Sequence, residues 1–409
     1  MQETPKSSRL HIAILGRRNA GKSSLINALT NQNVALVSDI PGTTTDPVYK
    51  AMEILPIGPV MIIDTAGIDD TGHLGTLRVE RTMSVLNKAD LVIIVFEAAR
   101  GMTQYEKTLI EGMKVKKIPI IGVINKSDKN IIPAELINNW SNECSIPLLA
   151  TSVKNGQGIE ELKNLIISYA PPDWQGPPVI GDLIRPNDLV ILVTPIDSAA
   201  PKGRLILPQV QAIRDILDHD GITMVVKETE LKRAIANLRT LPQLIVTDSQ
   251  AFARVAADIP QGVMLTSFSI LFARHKGDLE ILVSGVKAID QLKAGNSILI
   301  VEACTHHQQA DDIGKVKIPL WLEERVGGKL QFDWATGNNF PEDLSKYQLV
   351  VHCGACMLNR KEMLHRLSRV AMKSVPVVNY GILIAHLHGI LKQTLAPFPQ
   401  IQRILSEFN

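Results

Sequence analysis

The sequence predicts an α/β fold: an amino-terminal P-loop domain with a parallel-type sheet, followed by two smaller α/β domains. Three observations predict it. Residues 9–170 alternate short apolar runs with amphipathic stretches, the pattern of parallel strands covered by helices on both faces. The run Gly16-Arg17-Arg18-Asn19-Ala20-Gly21-Lys22-Ser23 follows the first apolar run and opens a helix. A proline-rich stretch at 171–180 then ends the alternation, which resumes with new strands beyond it.

A chain of 409 residues is too long for one hydrophobic core. Its 45% hydrophobic and 21% charged residues are ordinary for a globular protein. A net charge of +2 with no basic stripe argues against nucleic acid as a partner. No apolar run approaches the ~20 residues of a membrane span. The amino terminus lacks a signal peptide's apolar core, so a cytoplasmic location is expected. Cys144, Cys304, Cys353 and Cys356 are too few for a disulfide framework, and in a reducing compartment the C-x-x-C at 353–356 points to metal or redox chemistry.

In residues 1–170, strands are expected at 10–15, 60–64, 91–96, 119–124 and 147–150. Helices are expected at 22–30, 76–88, 103–116, 133–142 and 158–169. Residues 171–180 read as a linker. A second domain, 181–268, takes strands at 189–193, 222–226, 243–246 and 263–265, with helices at 208–219, 228–237 and 249–257. It has no phosphate loop and no cluster of titratable groups, so it reads as packing and association surface, suited to homodimerisation. A third domain, 269–409, takes strands at 297–302, 348–351 and 375–378. Cysteines and histidines follow the first two of these strands, where open parallel sheets bind ligands.

The first domain carries a nucleotide site. Gly16, Asn19, Ala20, Gly21, Lys22, Ser23 and Ser24 form a phosphate cradle of backbone N–H groups at a helix N-terminus. Lys22 reaches the β- and γ-phosphates, and the Ser23 hydroxyl holds Mg²⁺. Asp64-Thr65-Ala66-Gly67 follows a strand; Asp64 can hold the Mg²⁺ shell through water and Gly67 can offer its N–H to the γ-phosphate. Thr44, in the Pro41–Asp46 run, is placed to approach Mg²⁺ and the γ-phosphate. Asn125-Lys126-Ser127-Asp128 decides the base. The Asp128 carboxylate can accept from both N1–H and N2–H of guanine, and adenine offers no such pair. Lys126 covers the ring. Ser152, Val153 and Lys154 can cap the guanine, although a plain helix N-cap explains the same residues. The domain therefore reads as a P-loop GTPase domain using GTP, GDP and Mg²⁺, with Lys22, Thr44, Asp64 and Gly67 as its catalytic set.

These motifs, in this order, resemble the GTPases of the TrmE–Era group, whose features include G-T-T-x-D and an asparagine inside the P-loop. The resemblance implies K⁺ binding at Asn19 and K⁺-stimulated hydrolysis. The residue after D-T-A-G is Ile68, not the glutamine that aligns water in Ras-like enzymes, so slow intrinsic turnover is expected.

Cys304-Thr305-His306 and His352-Cys353-Gly354-Ala355-Cys356 end two strands of one predicted sheet and can converge. On ligand count, three thiolates and one or two imidazoles suit Fe–S and Zn²⁺ equally. The C-x-H…H-C-x-x-C pattern behind a TrmE–Era-type domain resembles the [FeFe]-hydrogenase maturation GTPases, the HydF family, over nearly the whole chain. That resemblance implies a scaffold with a [4Fe–4S] cluster on Cys304, Cys353 and Cys356, with His306 and His352 as candidate fourth ligands. It also implies a middle dimerisation domain, and a diiron precursor received from two radical-SAM maturases and delivered to apo-[FeFe]-hydrogenase. The alternatives are an RNA- or ribosome-associated GTPase of the TrmE–Era type and a GTPase with a structural zinc domain.

Overall fold

The computed structural model describes residues 4–30, 47–65, 82–196, 203, 205–303, 312–337 and 339–406. The chain divides into two compact units, 1–175 and 176–409.

The first unit is built on six strands: β1 (Leu10–Gly16), β2 (Val48–Ile54), β3 (Gly58–Asp64), β4 (Leu91–Glu97), β5 (Ile120–Asn125) and β6 (Leu148–Ala150). They lie in the order β2-β3-β1-β4-β5-β6. All pairings are parallel except β2 with β3, which is antiparallel. The central strands read as unbroken apolar runs because both faces are covered. Alternation along β1 sends Ile12 and Ile14 to one face, with Leu25 of the helix Lys22–Thr30 and Leu162 of the helix Ile159–Tyr169. It sends Ala13 and Leu15 to the other, with Ile110 of the helix Gln104–Val115. β2 was not expected from the sequence. As an edge strand it buries only Lys50 and Ile54, so it lacks the apolar run that marks its neighbours.

The second unit holds two four-stranded sheets, all parallel. The first comprises β7 (Leu189–Val193), β8 (Ile222–Val226), β9 (Leu244–Thr247) and β10 (Met264–Ser267), ordered β10-β9-β7-β8. The other comprises β11 (Ser297–Glu302), β12 (Gln331–Thr336), β13 (Leu349–His352) and β14 (Val377–Asn379), ordered β12-β11-β13-β14. β12, another half-exposed edge strand, was also unexpected.

One continuous apolar core joins the two sheets. It includes Ile191 and Val246 from the first, Ile300 and Val351 from the second, and Ile270, Leu271 and Phe272 of the helix Phe268–Lys276 between them. The expected boundary at 268/269 therefore falls where this shared helix begins rather than at a break in packing. The expected linker at 171–180 is likewise only part linker. Val179 and Ile180 are buried, Arg274 donates to the Pro178 carbonyl at 2.6 Å and pairs with Asp182 at 2.7 Å, and His275 Nδ1 donates to the Pro177 carbonyl at 2.7 Å.

Candidate functional site

The carboxyl ends of β1, β3 and β5 gather the nucleotide residues in the first unit. β1 sits between β3 and β4, so Ile14 is level with Asp64 and Gly16 with Val95. Gly16 takes φ +147°, and a Cβ there would stand 2.1 Å from the Val95 carbonyl oxygen. The close approach excludes any side chain and lets the chain turn directly into the loop.

Lys22 opens the helix after the loop and is almost buried; its Nζ donates to the carbonyls of Gly16 and Arg17, each at 2.9 Å. Ser23 Oγ donates to Asp64 Oδ2 at 2.8 Å. The other oxygen, Asp64 Oδ1, is buried without a hydrogen-bond partner. Burial pushes the Asp64 carboxyl up, opposed by the Ser23 bond and the charges of Lys22 and Lys50. An orphaned carboxylate oxygen beside a serine hydroxyl is a donor set that a hydrated Mg²⁺ would complete. Lys50 was not foreseen. It lies on β2 with its side chain buried, beside Asn27, and its link to Asp64 depends on strand pairing that local sequence does not reveal.

The base side is tied to the same loop. Asn125 Nδ2 donates to the Ala20 carbonyl at 3.0 Å. Lys126 Nζ donates to the Asn19 carbonyl at 2.6 Å and pairs with Glu97 at 2.9 Å. Asn19 and Lys126 both take left-handed backbone, φ +61° and +64°, at the two loops that meet here. Ser152 Oγ donates to Asp128 Oδ1 at 2.8 Å, which orients the carboxylate. Val153 packs on the core, and Lys154 is exposed. Ser24 is half-buried on the helix beside Ser23. Arg17, inside the loop, is bound to the buried Glu106 at 2.9 Å and to Thr103 at 2.9 Å. Thr44 and Gly67 lie outside the described residues.

In the second unit, Val301 of β11 is level with His352 of β13. Cys353 and Cys356 are half-buried in the turn that follows, where Ala355 takes φ +54°. The backbone N–H of Ala303 donates to Cys353 Sγ at 3.1 Å. Burial pushes the Cys353 thiol up, while N–H groups of Ala355 and Ala303 favour its thiolate. Sulfur met by main-chain donors suits a thiolate ligand. Cys304 and His306 lie outside the described residues, and among those described no group of three His, Cys, Asp or Glu converges as a metal site. His352 is fully buried; its Nδ1 lies 2.9 Å from the Cys353 carbonyl and its Nε2 3.4 Å from Arg366 Nη1. Burial, then the Arg366 charge, lower its pKa to about 3. Glu302 and Tyr380 are buried nearby, their side-chain oxygens 3.4 Å apart. Nothing in the sequence marked either residue.

Residues 179–277 match the family described as hydrogen maturase F dimerization domain, and residues 280–397 the family described as hydrogen maturase F tetramerization domain. The chain belongs to the HydF family of hydrogenase maturase GTPases. Its residues 11–126 match the family described as 50S ribosome-binding GTPase. The HydF chain thus carries a GTPase domain ahead of two segments described as self-association domains. Among curated proteins it is 35% identical over 167 residues to the tRNA modification GTPase MnmE of Nitrosomonas europaea, covering 41% of this chain and 35% of that protein. It is 40% identical over 159 residues to the MnmE of Acetivibrio thermocellus, covering 37% and 33%. The HydF chain therefore spans about a third of the length of these curated relatives. Among solved structures it is similar to Aquifex aeolicus Era bound to GDP·AlF4⁻, at 21% identity and TM-score 0.36, covering 53% of this chain and 93% of that one. It is also similar to the G domain of T. maritima FeoB, at 26% identity and TM-score 0.32, covering 40% and 99%. No helix among the described residues is long and apolar enough to cross a membrane.

Proposed function

We propose that the chain binds and hydrolyses GTP and acts as a scaffold that delivers a diiron precursor to apo-[FeFe]-hydrogenase. In this reading Cys304, Cys353 and Cys356 hold a [4Fe–4S] cluster, and the precursor comes from two radical-SAM maturases. The observation that carries it is the Cys353 sulfur, met by the Ala303 N–H at the end of β11, within a chain whose downstream segments are both of hydrogen maturase F type. Cys304 follows Ala303 directly. Hydrogen bonds to cluster sulfurs are one of the means by which a protein sets cluster potential.

GTP turnover rests on Lys22, Ser23 and Asp64, and guanine choice on Asp128. Thr44 and Gly67 would complete the γ-phosphate side, and Asn19 would bind K⁺. Turnover measured in K⁺ and in Na⁺ tests that last role. The middle segment would form a homodimer. A ribosome- or RNA-directed role is the weaker reading, because it leaves the two segments of hydrogen maturase F type, 179–277 and 280–397, without a part to play.

The experiment is anaerobic reconstitution with iron and sulfide. Wild-type protein should turn brown and take up both elements, whereas a zinc protein would stay colourless. Cys353→Ser and Cys356→Ser should each lose iron while GTP binding survives. A full iron complement in both variants would overturn the ligand assignment.

A further inference from the structure

We propose that His352 is not an iron ligand, and that Arg366 is the positioning residue that keeps it from becoming one. The inference rests on the reading of Cys353 and Cys356 as cluster ligands.

His352 ends β13, 1% exposed, level with Val301 on one side and Asn379 on the other. Its Nδ1 lies 2.9 Å from the Cys353 carbonyl oxygen. A carbonyl only accepts, so Nδ1 carries the hydrogen and Nε2 holds the lone pair. That bond alone would suit a metal-ligating imidazole, which usually donates its other N–H to a carbonyl or carboxylate. Nε2 decides the matter. It lies 3.4 Å from Arg366 Nη1, a group that only donates. The lone pair that iron would need is engaged by a guanidinium, and one lone pair cannot serve both cations.

The guanidinium is itself fixed. Arg366 is 4% exposed; its Nη2 donates to Glu362 Oε1 at 2.9 Å and to the Gly337 carbonyl at 2.6 Å. It lies over the Phe340 ring at 5.5 Å, and Arg369 flanks the same ring at 5.2 Å. Freeing Nε2 means moving a buried cation away from its buried carboxylate, which is strongly unfavourable. The ring instead holds the Cys353 peptide in place. A three-thiolate cluster would then have to take its fourth ligand from somewhere other than His352.

The test is pulsed EPR on the full chain, reconstituted with iron and sulfide and then reduced. His352→Gln should keep the wild-type iron content and the wild-type nitrogen couplings. Arg366→Leu should gain a strongly coupled histidine nitrogen that the Arg366→Leu/His352→Gln double variant lacks, while Arg366→Lys, which can still donate to Nε2, should match wild type. Loss in His352→Gln of a strong coupling present in wild type overturns the inference. Should His352→Gln not fold, wild type labelled with ¹⁵N-histidine decides. No strong coupling, or one removed by His306→Gln, supports the inference; a strong coupling that survives His306→Gln overturns it. Failure of the wild type to take up iron sinks the cluster reading, and this inference with it.

Discussion

The amide nitrogen of Asn125 stands 2.2 Å from the point where a Cβ on Gly21 would lie. Asn125 is buried and spends that nitrogen on the Ala20 carbonyl, so it has no room to retreat, and Gly21 takes φ +91°. Gly21→Ala is therefore expected to push the phosphate loop off the guanine-side loop. GTP affinity should fall at least ~10-fold, as a loss of more than ~1.4 kcal/mol implies. Isothermal titration with a non-hydrolysable GTP analogue checks it, and unchanged affinity would show that the contact is not needed.

Asp128 and Ser152 make a second pair. Ser152→Ala removes a part-buried hydrogen bond to an exposed carboxylate, a loss of about 1 kcal/mol, so GTP affinity should drop roughly 5-fold. Asp128→Asn should go further and exchange preference. Its amide can donate to the carbonyl oxygen that xanthine carries where guanine has an amino group. Competition between GTP and XTP reads this out, and retained GTP preference would refute the assignment.

Asp64→Asn should separate stability from turnover. Burial raises the Asp64 pKa above its unfolded value. The ionised carboxylate therefore costs stability: the cost is absent below the unfolded pKa and is complete once pH has risen through the higher folded pKa. At neutral pH the amide removes that cost, so Tm without nucleotide and Mg²⁺ should rise. Mg²⁺-dependent turnover should fall ~10–100-fold, the usual effect of losing an outer-shell partner. A lowered Tm would contradict the account.

His275 sets an acid limit on the second unit. Burial, first, lowers its pKa to about 4; Lys276 and Arg360 push the same way, while the Pro177 carbonyl and Asp215 oppose them. The unfolded chain therefore binds a proton, near the ordinary pKa of about 6.5, that the folded chain refuses. Stability present above about pH 6.5 is lost as pH falls toward 4, at most roughly 3 kcal/mol from this group. His275→Gln should flatten that slope in urea unfolding of the full chain. An identical slope in wild type and variant would exclude the role.

Most of the strand positions were legible because buried parallel strands are written as apolar runs: β7, β8 and β11 begin and end where those runs do. β2 and β12 were not, since an edge strand half in solvent mixes Tyr49, Lys50 and Glu53, or Asp333 and Trp334, with its apolar residues. Local motifs marked Lys22, Ser23 and Asp128, whose roles depend on a loop and its spacing. Lys50, Arg17 and Arg366 depend on partners 14 or more residues away, which no local pattern announces. The helix Phe268–Lys276 misled for a related reason. It is buried on most sides because two sheets share it, and its apolar run Ile270–Ala273 does not say which neighbour it serves.

That shared helix limits how this architecture can be dismantled. Cutting between the segments at 277 and 280 would strand Ile270, Leu271 and Phe272 with half their surroundings gone. Neither fragment would keep a sealed interior, and both should aggregate when expressed apart. A usable truncation therefore has to keep residues 176–409 together, whereas the first unit closes its own sheet with its own core.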